Sequence, residues 1–224
     1  MIILAVDTAL GACSAALVSD GRVLAHEHRE MARGHAEALA PMVEDVMRRA
    51  GCAFAQVDRI GVTTGPGTFA GQRVGLAFAR ALALALKKPA IGVTTLDVMM
   101  AEALSRSEAP SWAIAAADAK RGEIYLGARN RSGSLLEPTL VPLWEASARL
   151  ASFADNGPEV ALVGTAAEAL APLLKASALS PSDSLVRQPD AVFVARLAAT
   201  TPPGPPPKPL YLRPPDAKLP GAPS

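Results

Sequence analysis

One pattern occurs twice along this chain and limits what it can fold into. Ile2 to Val6 is a β-branched apolar run that stops at Asp7, and Gly11 follows four residues later. Trp112 to Ala117 is a second apolar run that stops at Asp118, with Gly122 again four residues on. Each half continues with an apolar strand and a turn: Cys13 to Ser19 before Asp20-Gly21, and Glu123 to Asn130 before Ser132-Gly133. Glycine suits such turns because it takes positive φ at low cost. The aspartate-to-turn offset is 14 residues in the first half and 15 in the second. Internal similarity of this kind marks a supersecondary unit used twice. Two such units facing each other would make a cleft, with one carboxylate from each half at its strand ends.

The rest of the chain extends both units in the same way. After strands at Arg22 to Glu27 and Ser134 to Leu140, each half reads as helix, strand, helix. Leu39, Met42, Val43, Val46 and Met47 recur at the spacing of one helical face, predicting a helix over His35 to Ala50. Ile60 to Thr64 reads as a strand, Phe69 to Leu86 as a long helix, Ala90 to Val93 as a short strand, and a helix then runs to about Ser105. In the second half the expected order is a helix near Glu145 to Phe153, a strand at Val160 to Val163, a helix at Ala166 to Lys175 and a last helix at Pro189 to Ala199. This predicts an α/β chain of the actin-like, sugar kinase and heat-shock ATPase (ASKHA) architecture, built from two ribonuclease-H-like lobes. The expected lobes are residues 1–106 and 107–201. Ten of the 20 prolines follow Thr201, so residues 202–224 read as an extended or disordered tail.

Composition narrows the function classes. Half the residues are hydrophobic but only 4% are aromatic, so the core must be built from Ala, Val, Leu and Ile with close helix packing. The 22 basic and 21 acidic residues leave a formal net charge of +1, which gives the whole chain no electrostatic grip on nucleic acid. The basic pairs Arg48-Arg49, Lys87-Lys88 and Lys120-Arg121 are scattered and read as solvated faces. Cys13 and Cys52 are isolated thiols, which argues against a disulfide scaffold or a structural zinc site. The opening strand carries no basic residues before its apolar run, so it reads as a buried strand rather than a signal peptide, and a reducing cytoplasm is expected.

The most specific stretch is Gly65-Pro66-Gly67-Thr68-Phe69-Ala70-Gly71-Gln72-Arg73-Val74-Gly75. Gly65 and Gly67 allow a tight turn, and Thr68 is placed to cap the helix that follows. Helix N-termini bind phosphate, but no Gly-Lys-Ser/Thr follows, so this is no Walker loop, and a capped helix start is the simpler reading. Gly71, Gly75, Ala79 and Ala83 form a stripe of small residues beside a ridge of Val74, Phe78, Leu82 and Leu86. Together with Leu39, Met42 and Val46 they are the expected helix–helix interface to a partner; the alternative is that they cover the lobe's own sheet.

These segments resemble one bacterial family. The Ile3-Leu4-Ala5-Val6-Asp7-Thr8-Ala9 strand, the Gly34-His35 helix start, the block from Gly65 to Gly75, Gly92 to Leu96, the run from Ala116 to Tyr125, and Tyr211-Leu212-Arg213 are similar to the TsaB (YeaZ) family. The resemblance covers residues 1 to about 213. It implies a non-catalytic partner of the TsaD-like transferase that places threonylcarbamoyl on adenosine 37 of tRNA, working with a TsaE-like ATPase. It further implies homodimers through the same first-lobe helices, with tRNA contacted only indirectly. ATP or ADP and a metal would belong to those partners.

The residues themselves offer little to an enzyme. The catalytic relative binds metal through paired histidines on a helix, whereas this chain has three histidines, His26, His28 and His35, with no such pair. His26 and His28 share a strand face; a metal pair is conceivable there, but solvated surface histidines are the simpler reading, so no metal is expected. Asp7, Thr8, Gly11, Asp118 and Gly122 would form the phosphate loops and cleft of an active relative; capping of loop amides is the simpler role. Val163-Gly164-Thr165-Ala166-Ala167 holds one glycine where active relatives have several. The competing reading is a small ATPase or metallopeptidase-like enzyme of the same fold.

Overall fold

Ile2–Asp7 (β1) buries side chains on both faces, and that double burial sets the layering. Leu4 and Val6 enter one apolar cluster, while Ile3 and Ala5 enter another on the opposite side. Ala12–Ser19 (β2) divides likewise, with Cys13, Ala15 and Leu17 on one face and Ala16 and Val18 on the other. The period of two makes a sandwiched strand apolar throughout. The computed structural model describes residues 1–151, 159–177 and 179–213. β1, β2, Arg22–Glu30 (β3), Arg59–Thr63 (β4) and Ala90–Val93 (β5) form a sheet of order β3-β2-β1-β4-β5.

Trp112–Asp118 (β6), Glu123–Asn130 (β7), Ser134–Pro142 (β8), Glu159–Val163 (β9) and Ser180–Asp183 (β10) form a second sheet of order β10-β9-β6-β7-β8. The two orders correspond strand for strand. In both, the first two pairings along the chain are antiparallel and the later ones parallel. The duplicated plan expected from the two aspartates is therefore present as two ribonuclease-H-like lobes of an ASKHA fold. Sequence reading did not foresee β10. Its Ser-Pro-Ser-Asp composition argues against a strand, and it exists because it lies at a sheet edge, where proline is tolerated.

His35–Arg49 (α1) and Phe69–Leu86 (α2) cover the Leu4 face of the first sheet. By length and composition α2 would cross a membrane, but Leu76, Ala79 and Ala83 sit in the lobe's core. Thr95–Leu104 (α3) lies on β6, β7 and β9 of the second sheet, whose other face is covered by Ala146–Leu150 (α4) and Ala167–Lys175 (α5). The helix expected to end near Phe153 runs into residues outside those described. Ala191–Thr200 (α6) packs on β1, β2 and β4 of the first sheet. Chain order had put it with the second lobe. Its buried Val194, Ala195 and Ala198 instead fill the face that Ile3, Ala5 and Ala16 leave open. The two halves thus exchange helices, and α3 and α6 meet between the sheets.

Arg59 locks that exchange by donating from Nη1 to the carbonyls of Ala198 and Thr201, at 3.0 and 2.9 Å. These are acceptors that a helix end leaves unpaired. Beyond Thr201 the proline-rich chain is extended, as expected, but it is seated on the protein as far as it is described. Pro207 is buried, and Leu210 donates its N–H to the Thr64 carbonyl at 2.8 Å. Residues 214–224 of the expected tail lie outside those described.

Candidate functional site: the cleft between the lobes

The start of α2 is built as its sequence suggests. Thr68 caps it, accepting from Gly71 N–H at 3.1 Å, and Gly65 before it holds a φ of 105°. The loop after β1 is pressed against this helix start. Thr8 Oγ1 donates to the Gly71 carbonyl at 2.6 Å, and Thr68 N–H donates to the Ala9 carbonyl at 2.8 Å. A Cβ on Gly71 would lie 2.1 Å from the Thr8 carbonyl oxygen, and one on Gly67 would lie 2.3 Å from that of Ala9. The Gly-rich block serves a close approach of backbone to backbone.

That closeness decides what the loop can hold. Asp7 is fully buried; its Oδ1 accepts from Thr63 Oγ1 at 2.5 Å and from Ala9 N–H at 3.2 Å, while Oδ2 has no partner. Burial pushes its carboxyl up to about 7, against the hydrogen bonds from Thr63 and Ala9. Gly11 N–H donates to Gln188 Oε1 at 2.8 Å. Nucleotide enzymes of this fold need free loop amides and an ionised, reachable carboxylate. Here the amides of Ala9 and Gly11 are already engaged, and Asp7 is sealed. The first loop does not fit a nucleotide phosphate or its magnesium.

The matching loop of the second lobe is open. Asp118 is solvent-exposed; its Oδ1 accepts from Lys120 N–H at 2.7 Å, and its Oδ2 pairs with Lys120 Nζ at 2.6 Å. Lys120 holds this carboxyl below the usual range. Both aspartates thus cap loop amides, the simpler of the two roles expected for them. Lys120, Arg121 and Gly122 all have positive φ, 65°, 60° and 75°. Such a run is costly for the two non-glycine residues. Gly164 stands against the carbonyl of Ala116, and Thr165 accepts from Asp118 N–H at 2.9 Å.

Between the loops lies a cleft of about 680 Å³, reached by Thr68, Phe69 and Arg73 from α2, by Asp118 and Lys120, and by the strap from Leu210 to Arg213. Tyr211 stacks on Phe69 at 5.5 Å, Arg73 lies 3.8 Å over the Phe69 ring, and Arg73 Nε donates to the Tyr211 hydroxyl at 2.9 Å. Arg213 pairs with Glu123. Sequence reasoning marked Tyr211 to Arg213 only through a family resemblance. It missed Gln188, which carries no local signal.

The expected interface residues separate into two groups. Leu39, Met42, Val46, Gly71, Gly75 and Ala79 are buried in the first lobe, so they cannot meet a partner. The small stripe is small because the loop after β1 lies against it; a Cβ on Gly75 would stand 2.7 Å from Thr8 Oγ1. Val74, Phe78 and Leu82 are half-buried at the rim of the exposed face of α2. That face carries Ala70, Ala77, Ala81 and Leu84, the last 82% exposed. Helical phase explains the division: positions 71, 75, 79 and 83 form one stripe, and 70, 77, 81 and 84 the opposite side. Burial pushes the Cys13 thiol up to about 11, away from a nucleophile's setting, and the Cys52 thiol donates to the Ala53 carbonyl at 3.6 Å.

Residues 26–176, more than half of the chain, match the family described as TsaD, tRNA N6-adenosine threonylcarbamoyltransferase. The chain is 41% identical over 125 residues to the tRNA threonylcarbamoyladenosine biosynthesis protein TsaB of Escherichia coli, covering 56% of this chain and 53% of that protein. It thus spans about half the length of that relative. An uncharacterized protein of Mycobacterium tuberculosis is 35% identical over 218 residues, 96% of this chain and 93% of its own. Among solved structures, YeaZ from Pseudomonas aeruginosa superposes with a TM-score of 0.75 at 26% identity, covering 94% of this chain and 99% of its own. A ROK hexokinase from Thermus thermophilus shares the fold alone, with a TM-score of 0.51 at 17% identity over 88% of this chain and 98% of its own. With the duplicated lobes, the helix start at Thr68 and the strap at Tyr211 in place, the chain belongs to the TsaB (YeaZ) family, within the wider family that the threonylcarbamoyltransferase model describes.

Proposed function

We propose that this chain is a non-catalytic subunit of tRNA threonylcarbamoyladenosine synthesis in the cytoplasm, one that binds and supports a TsaD-like transferase together with a TsaE-like ATPase. The observation that carries this reading is the pairing of a sealed first loop with a long helix whose outer side exposes an apolar strip beside Arg73 and Arg80. An enzyme of this fold would keep Asp7 accessible; here it is fully buried, bonded to Thr63 and Ala9, and α2 presents Ala77, Ala81 and Leu84 to solvent. Exposed apolar faces of this kind mark association surfaces. The first lobe, residues 1–106, supplies this surface, with Val74, Phe78 and Leu82 at its edge. A second copy of the chain competes for the same face when the transferase is absent. The near-neutral charge leaves most of the tRNA affinity to the partner.

Co-expression with a TsaD-like transferase tests the reading. Wild-type chain is expected to co-purify with it, while Leu84→Glu and Ala77→Glu lose the complex and melt like wild type. Depleting the protein is expected to remove threonylcarbamoyladenosine from digested tRNA. Retained association in both variants would place the interface elsewhere, and a normal nucleoside level would reject the pathway. ATP turnover by the isolated chain that is lost on Asp118→Ala would favour the enzyme reading instead.

A further inference from the structure

Away from the cleft, the N-terminal end of α6 meets β3. His26 and His28 alternate on β3 and so project from the same face. Asp190 caps α6, its Oδ1 accepting from Val192 N–H at 2.7 Å. That bond fixes the carboxylate and leaves Oδ2 directed at the strand. His26 Nε2 lies 3.0 Å from Asp190 Oδ2, and His28 Nδ1 lies 3.6 Å from it. Both ring nitrogens are buried, and the group each of them faces is this carboxylate oxygen. The three donor atoms all lie within 4.8 Å of one another.

We propose that His26, His28 and Asp190 form a binding site for a zinc-class divalent transition-metal ion. Two donors held about 2.0–2.1 Å from a tetrahedral ion stand roughly 3.3 Å apart, and the two measured separations fall on either side of that value. Two imidazoles and one carboxylate suit zinc, cobalt or nickel and not magnesium or calcium, which take oxygen ligands. The amide of Val192 orients the carboxylate, as outer-shell partners do for metal ligands. Further carboxyls surround the cluster: Asp7 interacts with His28 and Asp190, Glu30 with His28, and half-buried Glu102 on α3 with Asp190, His28 and His26. A bound ion would tie β3 to the first turn of α6, the helix that chain order places last and packing places on the first lobe. Asp190 lies far in sequence from His26 and His28, so no local motif announces the set of three.

The proposal is tested with the full chain, stripped with chelator and titrated with zinc chloride by calorimetry and with cobalt chloride by visible absorption. One zinc per chain, a raised melting temperature and the d–d bands of four-coordinate cobalt are expected. His28→Gln and Asp190→Asn are each expected to weaken zinc binding beyond the roughly 10–100-fold that an outer-shell change causes. Asparagine caps helices as well as aspartate does, so Asp190→Asn keeps α6 in place while removing the ligand. Absence of saturable zinc binding would overturn the proposal. So would wild-type affinity in the double variant His26→Gln/His28→Gln, which would put the ion elsewhere.

Discussion

Gly71→Ala is the most direct perturbation of the contact between the loop after β1 and the start of α2. The added methyl would sit 2.1 Å from the carbonyl oxygen of Thr8 and 2.6 Å from Thr68 Oγ1. The nearer neighbour is backbone, so no rotamer change relieves it; either the helix or the loop must move by about 1 Å to reach contact distance. Overpacking of this type costs about 1–3 kcal/mol. The movement also removes the Thr8-to-Gly71 hydrogen bond, about 1 kcal/mol, and the Thr68 cap, about 1 kcal/mol. Alanine returns about 1 kcal/mol of helix propensity. A net loss of roughly 2–4 kcal/mol follows from these terms. At about 2–4 °C per kcal/mol for a chain of this size, thermal unfolding followed by circular dichroism will resolve it. An unchanged or raised melting temperature would refute the argument, because it would mean that the helix start is not seated on the loop.

Two further predictions concern stability. Asp7 titrates near 3.8 when free and near 7 when folded, so between these values the folded state holds the extra proton. Its contribution is therefore fully favourable below about pH 4 and is lost as pH rises to about 7, at up to about 1.4 kcal/mol per unit. Asp7→Asn, which mimics the protonated form, should flatten that slope in urea unfolding series, and an unaltered slope would reject the burial argument. Arg59→Ala should destabilise by about 2–3 kcal/mol, since it removes charged donors from the end of α6. Arg59→Lys should recover only part of this, because a single ammonium cannot span the carbonyls of Ala198 and Thr201; full recovery would show that charge alone suffices.

Much of the fold was legible because it is local or periodic. The β1 run, the hairpin at Asp20-Gly21 and the face made by Leu39, Met42, Val43 and Val46 each follow from neighbouring residues. Thr68 reads as a cap from its place before an apolar helix, and the repeated aspartate–glycine spacing reveals the duplication. The site was less legible. The small stripe on α2 has two physical explanations, a partner helix or a nearby loop, and the sequence contains nothing that separates them.

What this sequence determined by itself is the set of elements and their doubling, because propensity, capping and period act over a few residues. The tertiary structure alone decided which surfaces those elements use. It turned Gly71 and Gly75 inward onto Thr8 and Ala79 into the core, and left Leu84 in solvent, a difference of helical phase. It moved α6 to the first sheet, where its small apolar residues match Ala5 and Ala16. It sealed Asp7 against Thr63 in the core while Asp118, at the same place in the repeat, stayed in water. And it carried Asp190 across the chain to His26 and His28, a meeting that depends on packing between residues far apart in sequence.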